Sequence, residues 1–153
     1  MKLQFVTCCV SGKLLLTIHY PLYTSCMPRY FTLEQANETL DLIRPLMEDV
    51  QAIRRKILES QPEAWTAIEK SVGNGGNRAL SNMIQDFEQL DLLVHRILET
   101  DVLIKDINTG LLDFPALRNG HEVYLCWQFG EEGIAFWHEV DAGYAGRQPI
   151  DTF

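Results

Sequence analysis

Apolar residues recur every three or four positions at Leu33, Ala36, Leu40, Ile43, Met47, Val50, Ile53 and Ile57, drawing a single stripe along a helix. Thr32, followed three residues later by Gln35, is a capping box: each side chain can satisfy a backbone N–H of the other. The pattern predicts a rod from here to about Ser60, roughly 40 Å long at about 1.5 Å per residue, kinked at Pro45. Gln61-Pro62 should close it. Pro62 can open a short segment through Trp65 and Ile68, and Gly73-Asn74-Gly75-Gly76-Asn77 reads as a loop. Leu80, Met83, Phe87, Leu90, Val94 and Ile97 then repeat the spacing, predicting a second helix over about 78–99. Two rods with matching stripes are expected to pack antiparallel, with the stripes as core.

From Val102 onward β-branched and aromatic residues cluster between Gly, Pro and Asn, and strands are expected over 102–105, 111–114, 122–129 and 134–140. Residues 130–133, Gly-Glu-Glu-Gly, suit a hairpin loop that pairs Phe129 with Ile134. That register puts Val123, Leu125, Trp127 and Phe129 on one face with Ile134, Phe136, His138 and Val140, and sets His138 opposite Leu125. Glu122, Tyr124, Cys126 and Gln128 then share the other face with Ala135, Trp137, Glu139 and Asp141. The expected fold is α+β, a long antiparallel helical hairpin followed by a small antiparallel β-rich C-terminal unit.

Charge narrows the function. A net charge of -8 with no basic cluster argues against nucleic acid and against an anionic membrane surface. No apolar run reaches the eighteen or so residues of a membrane span. Residues 1–26 carry Cys8, Cys9 and Cys26, lack Asp and Glu, and show no sustained period. Their longest apolar run is too short for a secretory signal. They read as a disordered extension ahead of a start at Met27, leaving residues 27–153 as one domain: a hairpin over 27–100 with a linker at 61–77, and a tail over 101–153. Cys126 would then be the lone thiol, which fits a reducing cytoplasm.

Several residues could carry chemistry. His138 falls on an otherwise apolar face, where an imidazole is either satisfied by a carbonyl or carboxylate or serves as a ligand or general base. Asp113 sits among Leu111, Leu112, Phe114 and Pro115, with Arg147 or His138 as its natural partner. Asp106 heads an Asx-type turn ending at Gly110. It is no calcium loop, because that Gly comes one position early and Leu117 occupies the twelfth position. Gly143-Tyr144-Ala145-Gly146-Arg147 could hold an anion or be a structural turn. Trp127 and Trp137 complete the candidate ligand-contacting set. His138, Asp113, Asp141, Glu139 and His121 have no metal-site spacing, and Cys126 lacks a CxxC partner, so no metal is indicated. Cys126 is expected to be half exposed and unsuited to catalysis, with Glu122 and Asp141 on its face.

Three segments carry a resemblance: Tyr30-Phe31-Thr32-Leu33-Glu34-Gln35-Ala36-Asn37; Lys105-Asp106-Ile107-Asn108-Thr109-Gly110-Leu111-Leu112-Asp113-Phe114-Pro115-Ala116; and Val123-Tyr124-Leu125-Cys126-Trp127 with Trp137-His138 and Asp141 through Pro149. From Met27 to about Ile150 the chain resembles bacterial proteins designated domain of unknown function 2203. The resemblance implies a soluble bacterial protein with a helical front and this tail, and supports a start at Met27. It implies no reaction or cofactor. Asp101 stands where the resemblance leads one to expect Gly after the second helix. The function expected first is an interaction or assembly module that docks a protein partner or a second copy through the hairpin. The alternative is a small-ligand or metal-assisted enzyme using Asp113, His138 and Arg147 in a cleft between tail and hairpin.

Overall fold

The computed structural model describes residues 29–70 and 78–153. The expected extension over 1–26, the start at Met27 and the loop at 73–77 lie outside the described residues. Thr32 Oγ1 accepts from the Gln35 backbone N–H at 3.2 Å, and the Gln35 side chain accepts from the Thr32 N–H at 3.1 Å. The capping box therefore opens α1, Leu33–Lys70. The expected stop at Gln61-Pro62 does not occur, and residues 61–70 are helix rather than linker. Pro45 and Pro62 both lie inside α1 and are exposed. Each removes one amide donor, and water can serve the carbonyl left over.

The second helix, α2, is Arg78–Leu98. It closes through Asp101, whose φ of 67 is left-handed and whose N–H donates to the Leu98 carbonyl. Asp thus adopts the conformation for which Gly was expected.

A five-stranded antiparallel sheet follows, in sequential order: β1 Leu103–Asp106, β2 Leu111–Arg118, β3 His121–Gln128, β4 Phe136–Glu139 and β5 Gln148–Pro149. The fifth strand was not expected; it is a two-residue edge ending in Pro, the position Pro tolerates. One sheet face packs on the helices. Ala36, Leu40, Ile43, Met47 and Val50 of α1 and Ile97 of α2 form a core with Leu112, Phe114, Ala116, Val123, Leu125, Trp127 and Trp137.

The β3–β4 hairpin is antiparallel as expected, but its register is one residue away from the expected one. Leu125 faces Trp137, and Tyr124 faces His138. The expected Phe129–Ile134 pair is broken because each amide is used elsewhere: the Phe129 N–H donates to the Gly110 carbonyl at 3.0 Å, and the Ile134 N–H donates to Asn37 Oδ1 at 3.2 Å. Since side chains alternate, a one-residue slip exchanges the faces. Trp137 goes to the core, and His138 goes to the opposite side.

Gly110 makes this diversion possible. Its φ is +66, and a Cβ there would stand 2.6 Å from Phe129 Cβ, closer than real side chains come. Gly110→Ala is therefore expected to destabilise the protein by about 2 kcal/mol or more, measured by urea unfolding; an unchanged midpoint would contradict the role given to this contact.

Candidate functional site

Alternation along β2, β3 and β4 carries Asp113, Pro115, Tyr124, Cys126 and His138 to the sheet face turned away from the helices. All five are nevertheless buried. Their roof is made of long side chains. A bulge in β1, between Ile104 and Asp106, turns Lys105 over this face, its ammonium 4.8 Å from the Tyr124 ring centre. Arg147, following the 3-10 turn Tyr144–Gly146, lies over the rings of Phe136 and Tyr144 at 4.5 and 4.7 Å.

Beneath the roof, Asp113 stands opposite Cys126 in the β2–β3 register. Both Asp113 oxygens lie 3.3 Å from His138 Nε2. Lys105 Nζ is 3.7 Å from Oδ2, yet Oδ2 is buried with no hydrogen-bond partner. His138 Nδ1 lies 2.8 Å from the Glu139 carbonyl oxygen, which can only accept, so Nδ1 carries a proton. In the neutral ring Nε2 would then present a lone pair to a carboxylate, acceptor against acceptor. The contact needs a proton or another cation between the two acceptors.

The neighbours constrain the chemistry further. Burial, and after it the Asp113 carboxylate, push the Cys126 thiol up to about 12 against the opposing pull of Arg147. Cys126 is fully buried rather than half exposed, because Arg147 and Asp113 close over a face expected to be open. Arg147 donates from Nη1 and Nη2 to Glu131 at 2.8 and 2.9 Å and from Nε to Cys126 Sγ at 3.3 Å. Burial works against the Arg147 charge, and the bonds it donates to Glu131 and Cys126 outweigh it, so the guanidinium is held protonated. With all three nitrogens of Arg147 engaged, the set offers no open anion clamp.

A family model described as an uncharacterized conserved protein, DUF2203, matches residues 29–150. The chain belongs to the DUF2203 family. No curated protein and no solved structure matches it.

For this DUF2203 chain the structure brings together two of the residues singled out in sequence, Asp113 and His138, with Arg147 one residue removed through Cys126. Arg147 pairs with Glu131, not with Asp113. The site lies behind the sheet, not in a cleft between tail and hairpin, because the register slip moved His138 there. Trp127 and Trp137 are core residues: their indole N–H groups donate to the Glu131 carbonyl and Thr152 Oγ1, both at 3.0 Å. Asp106 closes its turn as expected, accepting from the Asn108 N–H at 2.9 Å and from the Thr109 hydroxyl at 2.8 Å. Its carboxyl is held low chiefly by the Asn108 amide. His121, Glu139 and Asp141 are exposed and, with Arg118 and Glu122, line a separate surface cleft of about 340 Å³. Sequence reasoning missed Lys105 and Glu131, and weighed Cys126 only to set it aside. Lys105 is aimed by a bulge that no residue type announces, and Glu131 was read only as loop. The correct register would have put Cys126 beside His138.

Two outcomes are expected in chelator-treated protein. His138→Ala, which leaves a buried carboxylate without its ring partner, costs about 3 kcal/mol or more by urea unfolding; a loss below about 1 kcal/mol would contradict a buried pair. Iodoacetamide followed by peptide mapping finds Cys126 unmodified in the folded protein and modified in denaturant. Rapid native labelling would mean the thiol is neither shielded nor held protonated.

Proposed function

We propose that this DUF2203 protein is an assembly module acting in the cytoplasm: α1 and α2 form a long antiparallel hairpin, packed in the manner of a coiled coil, that pairs with the hairpin of a second copy, while the sheet caps one end. The observation carrying this reading is the state of the α2 stripe. Of Leu80, Met83, Phe87, Leu90, Val94 and Ile97, Ile97 alone is fully buried. Ile84 and Phe87 are 50% and 49% exposed, and Leu58 on α1 is 47% exposed.

The core shared with the sheet takes α1 residues no further along than Val50. Beyond it, among residues whose side chains are described, Ile57 is the buried apolar residue of α1, and the buried Asp86 of α2 pairs with Lys56 at 2.5 Å. Two helices alone can bury one line of side chains; a second hairpin would complete a four-helix bundle and cover the remainder. A twofold pairing of identical hairpins is self-complementary and closes, so it forms no fibre. A ligand site in the tail is the second reading, favoured by Asp113 Oδ2, which is buried without a hydrogen bond.

Sedimentation equilibrium at micromolar concentrations is expected to give twice the chain mass. Phe87→Glu should return it to the monomer with an unchanged far-ultraviolet circular dichroism spectrum. A wild-type monomer at every concentration tested, or a Phe87→Glu dimer, would overturn the reading.

A further inference from the structure

We infer that Asp113 of β2, Cys126 of β3 and His138 of β4 form a binding site for one divalent metal ion of the zinc class, independent of the helical assembly surface. Their potential ligand atoms all lie within 4.8 Å of one another, and all three residues are buried. Each side chain is left with a need that one ion meets. His138 uses Nδ1 on a backbone carbonyl and aims Nε2 at the Asp113 oxygens, which is how metal-ligating histidines are commonly oriented by an outer partner. Asp113 is 1% exposed and keeps Oδ2 without a hydrogen bond. Cys126 Sγ receives the Arg147 Nε–H, a donor suited to a thiolate.

A proton shared between the ring and the carboxylate would relieve that one contact without engaging Cys126 Sγ. A cation bound by all three serves every one. Tetrahedral bonds of about 2.0 to 2.3 Å put neighbouring ligand atoms about 3.3 to 3.8 Å apart, and the Nε2 to Asp113 oxygen distance of 3.3 Å fits that edge.

The donor set selects the ion. One nitrogen, one sulfur and one carboxylate suit a borderline ion such as zinc, whereas magnesium and calcium require shells of oxygen. No fourth His, Cys or carboxylate joins the group among the described residues, which leaves a position for water, as in three-ligand zinc centres. Lys105, with its side chain 40% exposed, can withdraw its ammonium into solvent as the ion takes Oδ2.

The test uses the full chain, unfolded in chelator and refolded with Co²⁺ as a spectroscopic stand-in. One equivalent is expected to bind, with tetrahedral visible bands and a sulfur-to-cobalt charge-transfer band that Zn²⁺ abolishes. Because Cys8, Cys9 and Cys26 are also thiols, the decisive protein is Cys8→Ser/Cys9→Ser/Cys26→Ser, in which Cys126 alone can give the sulfur band. Retention of the band supports the site without requiring a Cys126 variant to fold. Asp113→Asn and His138→Gln in that background should lower zinc affinity by more than about 100-fold, beyond what loss of an outer-shell partner costs. His121→Ala should leave it unchanged. Absence of the sulfur band from the triple-serine protein, or equal zinc affinity in Asp113→Asn, overturns the proposal.

Discussion

The register of β4 on β3 is the constraint on which the rest of the C-terminal unit depends. With Leu125 opposite Trp137 and Tyr124 opposite His138, one large indole completes the core against α1 while the adjacent imidazole is carried behind the sheet to Asp113. A slip of one residue would exchange the two, burying an imidazole among Leu125 and Trp127 and leaving the Asp113 carboxylate without a partner. The register is pinned from outside the hairpin. Gly110 admits the Phe129 backbone, Asn37 takes the Ile134 amide, and Arg44 donates to the Glu131 and Glu132 carbonyls at 3.0 and 2.6 Å. Helix α1 thereby fixes the loop that fixes the sheet.

Burying a carboxylate costs several kcal/mol unless it is surrounded by compensating groups, and the outer face gathers them from separate strands. Lys105 comes from a β1 bulge, Cys126 from β3, His138 from β4, and Arg147 with Glu131 closes the edge. Because Asp113, Cys126 and His138 each belong to a different strand, the cluster spans β2, β3 and β4 on the side turned away from α1 and α2. The sheet is thus held by apolar packing on one face and by a polar cluster on the other. This two-sided support explains how so small a sheet can be buried on the face turned away from α1 and α2. The helices, by contrast, are covered by the sheet over only part of their length.

Much of the fold was legible in the sequence, and the failures have local causes. The capping box at Thr32, the α1 stripe, the Asx turn at Asp106 and the change of period at Val102 each follow from interactions within a few residues, whereas the α2 stripe, expected as core, is fully buried only at Ile97. Helix α1 passed Pro62 because an exposed proline costs one donor, not a chain reversal. The hairpin register was misread because it is decided by Gly110 and Asn37, distant in sequence from the loop they hold. Of the candidate site, Asp113 and His138 were recognisable as polar residues in apolar surroundings. Cys126 was not, since its burial depends on the face it occupies, and that face depends on the register. Arg147 was noticed but matched to Asp113, because nothing local distinguishes Asp113 from Glu131 as its partner.

The most direct measurement of this account is cross-strand nuclear Overhauser contacts between β3 and β4 in labelled protein. Backbone contacts joining Tyr124 to His138 and Leu125 to Trp137, with the His138 ring close to the Asp113 side chain, are the expected result. Contacts joining Leu125 directly to His138, with the imidazole among the core residues, would contradict the account.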